Sequence, residues 1–285
     1  MTRPMRTVAK TAFREWGVAT ASLRQLPDFL IIGTKRGGTT SLWNYLLTHP
    51  HILPMFPAAQ NLKSPHYFYW HYDRSERWYR SHFATRLRRT QLARVGKTAP
   101  VTGEASPYYL YSPYAAERAR ALLPQAKIII MLRDPVARAY SHYWERVHEG
   151  VEPLSFDAAL AAEDDRLAGE ADRMAADPLY YSRPHDFYTY RDRGVYLPQL
   201  ERWLGQYPSE QVLIVQSEAF YADKQAIFDQ VTDFLGLPGH QLGEVKRFNY
   251  RPAEPMSEPS REFLTDFFVP HNRALYDYLG RDFAW

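Results

Sequence analysis

The 285-residue chain contains no cysteine. That absence excludes disulfides, a thiolate zinc site and a thiol nucleophile, and it suits a reducing cytoplasm, where the protein is expected. Long apolar runs are missing as well. The most hydrophobic stretch, residues 128–132, falls far short of the ~20 residues that cross a bilayer, so no transmembrane segment is expected. Residues 1–27 lack the apolar stretch of a secretory signal. They are basic instead: Arg3, Arg6, Lys10, Arg14 and Arg24 stand against one acid, Glu15. Two readings of this segment stand. It is a basic amphipathic helix in peripheral contact with a membrane or partner, or a frayed helix loosely docked on the domain. An excess of one charge is also lacking. The 35 basic and 32 acidic side chains leave a net charge of +3, so charge calls for no nucleic-acid partner.

What is present is ordinary globular composition, 45% hydrophobic and 24% charged, in a length that suits one large α/β domain. Residues 29–32 (Phe-Leu-Ile-Ile) read as a buried strand, residues 33–40 as a glycine turn and residues 41–48 as a helix. Further strands are expected at 101–104, 127–132 and 211–216. Further helices are expected at 74–83, 113–123, 135–148, 156–171, 196–207, 222–235 and 260–279. Residues 50–70 read as loop with short strand, 238–260 as loop, and the polar stretch 172–193 as a mobile surface segment and candidate lid. Strands alternating with helices imply right-handed crossovers and a central parallel sheet flanked by helices, with ligands at the carboxyl ends of the strands. No linker or internal repeat divides the chain, so residues 28–285 are expected to form a single α/β domain behind the basic segment.

The turn Gly33-Thr34-Lys35-Arg36-Gly37-Gly38-Thr39-Thr40 joins strand to helix. Glycines let the backbone come close to an anion, and the opening helix directs free N–H groups at it. The hydroxyls of Thr39, Thr40 and Ser41 add donors. The bland reading is a glycine turn with incidental charges. A magnesium-dependent P-loop needs lysine where Thr39 stands, so a kinase is the weaker fit. At the end of strand 127–132, Arg133 leaves toward the same rim, and Ser141 follows on the next helix. A guanidinium there grips phosphate through two parallel hydrogen bonds, or else makes a surface ion pair. Asp134 reads as the cap of that helix.

These segments resemble the PAPS-dependent sulfotransferases, most closely the heparan sulfate N- and 3-O-sulfotransferase branch. (PAPS is 3′-phosphoadenosine 5′-phosphosulfate.) The likeness runs from about residue 27 to residue 279 through FLIIGTKRGGTTSL, KSPHYF, GEASPYYL, ALLPQAKIIIMLRDPVARAYSHY, GVYLPQLERWL and VTDFLGLP. It implies a P-loop-like nucleotide-binding topology and transfer of a sulfuryl group to a hydroxyl or amine of a carbohydrate or small molecule. It makes Lys35, Arg36, Gly37, Gly38, Thr39, Thr40 and Ser41 the 5′-phosphosulfate loop. Arg133 and Ser141 become the 3′-phosphate pair, Tyr196 part of a further cofactor-side segment, and Arg251 part of a basic lid. No metal is implied.

Two departures from the family pattern stand out. Arg36 occupies the usual lysine position of the first loop, with Lys35 one residue earlier, so Arg36 and Lys35 are the candidates for charge on the leaving oxygen. Ser64 occupies the usual glutamate base position. His66 is the nearest substitute base, because an ordinary imidazole pKa suits that work; a packed structural histidine is the alternative. Glu104, Asp73 and His71 are further candidates. A chain that has lost its base and only binds the nucleotide is the rival reading. The rings at Tyr67, Phe68, Tyr69, Trp70, Tyr108 and Tyr109 would line an acceptor cleft or fill the core.

Overall fold

Five strands form one parallel sheet. In the computed structural model, which describes residues 3–96, 98–243 and 254–285, they are β1 (Phe29–Gly33), β2 (Ile52–Leu53), β3 (Val101–Ala105), β4 (Lys127–Leu132) and β5 (Val212–Gln216). Their order is β2-β3-β1-β4-β5, and every neighbouring pair is parallel. β1 is buried along its whole length and β4 everywhere past Lys127, as continuous apolar runs in a doubly covered parallel sheet should be. From β1 the chain builds β3 and β2 on one side, then crosses back to lay β4 and β5 on the other. β1 is therefore the switch point, and the crevice of such a sheet opens at its carboxyl end. Gly33 pairs with Ile130, and Thr34 N–H donates to the Met131 carbonyl at 2.7 Å, so the loop after β1 is pinned to the end of β4.

Two helices carry the rim. The Thr39–Leu46 helix starts directly after Gly38, whose φ of 93° is a left-handed conformation that glycine adopts without strain. The Pro135–His148 helix starts as its sequence dictates. Proline sits at the first position, and the Asp134 carboxylate accepts from Val136 N–H at 3.0 Å and Ala137 N–H at 3.3 Å.

The segment 172–193 departs from its expected mobile surface character. It holds the Arg183–Phe187 helix and buries Ser182, Asp186, Thr189, Tyr190 and Arg193. Its polar groups satisfy one another: Tyr181 Oη donates to Asp186 at 2.8 Å, and Tyr180 Oη donates to Glu170 at 3.0 Å. Polarity signals exposure only when the polar groups lack partners. The expected helix 156–171 is broken into Phe156–Ala161, Glu163–Leu167 and Glu170–Ala176, and a helix Arg86–Gly96 stands where none was expected. Among the rings, Tyr67, Phe68, Tyr108 and Tyr109 are buried in the interior, whereas Trp70 is exposed.

Candidate active site

The carboxyl ends of β1 and β4 open into a cavity of about 640 Å³, within the range of small-molecule sites. Lys35, Arg36, Gly38, Thr39, Thr40 and Ser41 line it from the first loop, and Arg133 and Ser141 from the second. The topology has thus brought together eight of the residues singled out in the sequence. Gly37 lies just behind them. A Cβ there would sit 2.8 Å from the Met131 carbonyl oxygen, so only glycine lets the loop lie this close to β4. Ser217 Oγ donates to the Gly37 carbonyl, and Arg133 Nη1 donates to the Arg36 carbonyl at 3.0 Å. The second strand end therefore shapes the first loop directly.

Four cations converge here, and Arg261 lines the cavity as well. Arg36, held at a φ of 72°, donates through Nε to Ser141 Oγ at 3.0 Å and through Nη1 to Glu145 Oε1 at 2.8 Å. Lys35 Nζ lies 3.3 Å from Asp186 Oδ1 and 3.9 Å from Glu145 Oε2. Arg133 is the third. The fourth, Lys63, is one that sequence reasoning gave no role. Its Nζ donates to Thr40 Oγ1 at 2.8 Å, and its carbonyl accepts from Ala105 N–H at 2.8 Å, which fixes the residue beside the end of β3. Its place directly before Ser64 was the available signal.

Burial is the largest influence on both lysines. It pushes Lys35 down to about 8 against the pull of Asp186, and Lys63 down to about 8 against Glu145, with neighbouring cations lowering each further. Glu145 and Asp186 are raised by burial but held below the ordinary carboxylate range on balance, chiefly by Lys35, with Arg36 helping for Glu145 and Arg193 for Asp186. Neither acid had been noticed in the sequence, because each is distant in the chain from the loop it neutralises.

Two expected residues are placed differently. Tyr196 does not line the cavity; it is buried, and its hydroxyl donates to the Arg133 carbonyl at 2.7 Å, so it acts on the site through that backbone. His66 is also absent from the lining. Its Nδ1 lies 3.0 Å from Ser64 Oγ and 2.6 Å from Tyr69 Oη, its backbone has a φ of 54°, and burial pushes its pKa down to about 4. Arg251 and the basic stretch around it lie outside the described residues.

Behind His66 runs a chain of hydroxyls. Ser64 Oγ is hydrogen-bonded to Ser106 Oγ, and Ser106 Oγ donates to Glu104 Oε2 at 2.5 Å. Glu104 is fully buried on β3 and also accepts from Tyr79 Oη at 2.6 Å. Burial, outweighing these hydrogen bonds, pushes its pKa up to about 7.

A cavity at the switch point of a parallel sheet, lined by Lys35, Arg36, Lys63, Arg133, Arg261 and a row of hydroxyls, is a site for a ligand with several anionic groups. The comparisons agree in kind. Residues 27–241 match the model of the sulfotransferase family. A crystal structure of a sulfotransferase from Alicyclobacillus acidocaldarius superimposes with a TM-score of 0.68 at 30% identity, covering 91% of this chain and 98% of that one. The membrane-associated sulfotransferase kil1 of Dictyostelium discoideum is 27% identical over 91% of this chain and 66% of its own length. The mouse bifunctional heparan sulfate N-deacetylase/N-sulfotransferase 4 is 30% identical over 90% of this chain. This chain spans only 30% of that relative's length and just under two thirds of the former's. With three quarters of its length under one family model and a crystal structure matched nearly end to end, the chain belongs to the sulfotransferase family.

Proposed function

We propose that this protein transfers a sulfuryl group from PAPS to a hydroxyl or amine of a carbohydrate or small-molecule acceptor in the cytoplasm. The observation that carries this reading is the convergence of Lys35, Arg36, Lys63 and Arg133 with Thr39, Thr40, Ser41 and Ser141 on one cavity. PAPS, when bound, supplies the sulfuryl group and a nucleotide leaving group. Arg133 and Ser141 would hold its 3′-phosphate. Lys35, Arg36, Lys63 and the hydroxyls of the first loop would hold its phosphosulfate end and stabilise the charge that grows there. Positioning and electrostatics carry most of the rate in transfers of this kind. The names of the heparan sulfate relatives favour a sugar acceptor.

The acceptor proton needs a destination, since Ser64 stands where a glutamate is usual. His66 is neutral at pH 7, but a group with a pKa of about 4 does not retain a proton there. The hydrogen-bonded chain behind it supports a relay. His66 Nε2 takes the acceptor proton while Nδ1–H passes its own to Ser64 Oγ. Ser64 passes a proton to Ser106, and Ser106 to the Glu104 carboxylate. The last link has its donor on Ser106 and its acceptor on the carboxylate, and Glu104, with its pKa near neutrality, is able to retain the proton. The glutamate missing at position 64 is thus replaced by one three hydrogen bonds from His66.

Incubation with ³⁵S-labelled PAPS and a panel of sugars and metabolites, followed by mass identification of the labelled product, tests transfer. Tight binding of the desulfated nucleotide with no product from any acceptor would favour a non-catalytic binding protein, the reading that Ser64 keeps alive. Arg133→Ala should weaken nucleotide binding about tenfold or more, since a charge-assisted contact is worth ~1.5–3 kcal/mol. His66→Ala, Ser64→Ala and Glu104→Gln should each lower kcat by on the order of 10²-fold or more while leaving nucleotide affinity intact. Full turnover in Glu104→Gln removes the relay and leaves His66 to act alone.

A further inference from the structure

The small net charge conceals a strong segregation. Residues 1–27 carry five basic groups and one acid, and residues 74–97 carry eight and one, so the two segments together hold +11. The remaining 234 residues hold 22 basic groups and 30 acids, or −8. The described parts of the two segments pack against each other. The Arg3–Ala19 helix lies on the end of the Glu76–Arg80 helix, with Gly17 so close that a Cβ would sit 2.9 Å from the Ser81 carbonyl oxygen. Arg77 Nη2 donates to the Val18 carbonyl at 3.2 Å, Arg14 Nη1 donates to Ser81 Oγ at 2.8 Å, and Arg24 forms an antiparallel bridge with Thr85. The helix is therefore docked, and the bridge leads straight into the Arg86–Gly96 helix.

Apolar side chains stand out of this basic face. Trp16 and Leu23 are 60% exposed, Leu87 67% and Val95 85%. The bridge places Leu23 next to Arg24 and Leu87 two residues past Thr85, so these two flank one junction. Arg86, Arg88 and Arg94 are exposed and make no ion pair among the described residues. Charge without apolar groups suits a polyanion, and apolar groups without charge suit a protein groove. A face that mixes free arginines with an exposed tryptophan and leucines matches an interface where anionic headgroups lie over acyl chains. We infer that this face seats the protein peripherally on an anionic lipid surface.

Flotation of the full chain with vesicles tests the inference. The protein should rise with phosphatidylcholine vesicles containing phosphatidylglycerol, stay behind with phosphatidylcholine alone, and be released by salt. Each surface arginine removed should weaken association about fivefold, so Arg86→Gln, Arg88→Gln and Arg94→Gln combined should weaken it on the order of 100-fold. Trp16→Ser with Leu87→Ser should weaken it several-fold at low salt. Unchanged nucleotide binding verifies the fold of both variants. The inference is overturned if the wild type ignores the anionic vesicles, or if the triple variant floats like the wild type. It is also overturned if the Trp16/Leu87 variant floats undiminished while heparin retains the protein through the same arginines, which would assign the face to a polyanion.

Discussion

Glu145 Oε1 accepts a 2.8 Å hydrogen bond from Arg36 Nη1 inside the cavity proposed for an anion. Its other oxygen lies 2.9 Å from Arg146 and 3.9 Å from Lys35. In the nucleotide-free protein this carboxylate is the counter-charge of the first loop, and it holds the Arg36 side chain on Ser141. A phosphate that takes Arg36 or Ser141 must displace it. Glu145→Gln should therefore tighten nucleotide binding, about three- to tenfold for one partly screened opposing charge. The same change should lower the melting temperature of the nucleotide-free protein, because Arg36 then loses its acid and Lys35 keeps only Asp186. Calorimetric titration with the desulfated nucleotide and thermal melts check the two halves. Weaker binding would show that Glu145 orients Arg36 for the ligand rather than competing with it.

The lowered pKa values of Lys35 and Lys63, both about 8, make nucleotide binding pH-dependent in a defined direction. An anion favours the charged amines and raises both pKa values. Between about pH 8 and 10 the free protein holds fewer protons on this pair than the complex does, so binding must take protons up. Affinity should fall as pH rises through about 8. Titrations at pH 8.5 in two buffers of different ionisation enthalpy measure the uptake directly. Lys63→Met should remove about half of it. An enthalpy identical in both buffers would show that neither lysine gains charge on binding.

Much of this site was legible in the sequence because its parts lie at strand ends. The apolar runs at β1 and β4 are unmistakable, and the residues that follow such runs share one rim of a parallel sheet. That is why the Arg36 loop and the Arg133–Ser141 pair are expected at one rim; the direct 3.0 Å contact between Arg36 and Ser141, 105 residues apart, is not readable from it. The counter-charges were not legible. Asp186 sits in a stretch whose polarity suggests solvent, yet it is buried because Lys35, Arg193 and Tyr181 satisfy it. Pairing between side chains this far apart leaves no periodicity to read. Tyr196 shows the limit of a resemblance: the motif is present, but its hydroxyl supports the Arg133 backbone instead of lining the cavity.

Glu104 makes a prediction about stability. Its folded pKa of about 7 lies above its ordinary value of 4.5, so the native state binds the proton more tightly than the unfolded chain does. Between those values native protein holds more protons, and stability falls as pH rises through the interval, levelling out above pH 7. A shift of this size corresponds to about 3 kcal/mol. Glu163 is likewise pushed up to about 7, by burial that outweighs hydrogen bonds from the Asp192 and Arg191 N–H groups, and adds a slope of the same sign. Glu104→Gln should therefore flatten the profile of denaturant midpoint against pH by about half rather than abolish it. A profile identical to the wild type would mean that Glu104 is ionised throughout the interval.

Gly194 tests how the rim is held together. A Cβ at this position would lie 2.5 Å from the Phe268 ring and 3.0 Å from Pro135 Cβ. Phe268 is 1% exposed and has nowhere to go, and Pro135 opens the helix that presents Ser141. Gly194→Ala must push one of them aside. Overpacking of this kind costs about 1–3 kcal/mol, read as a lower denaturant midpoint. The displacement should also reach the site, because the next residues, Val195 and Tyr196, end in the hydrogen bond to the Arg133 carbonyl. Nucleotide affinity should drop several-fold in Gly194→Ala and less in Tyr196→Phe, which removes the hydrogen bond without moving the helix. If Gly194→Ala loses stability while nucleotide affinity stays at the wild-type value, the packing of this glycine and the geometry of the Arg133–Ser141 pair are independent.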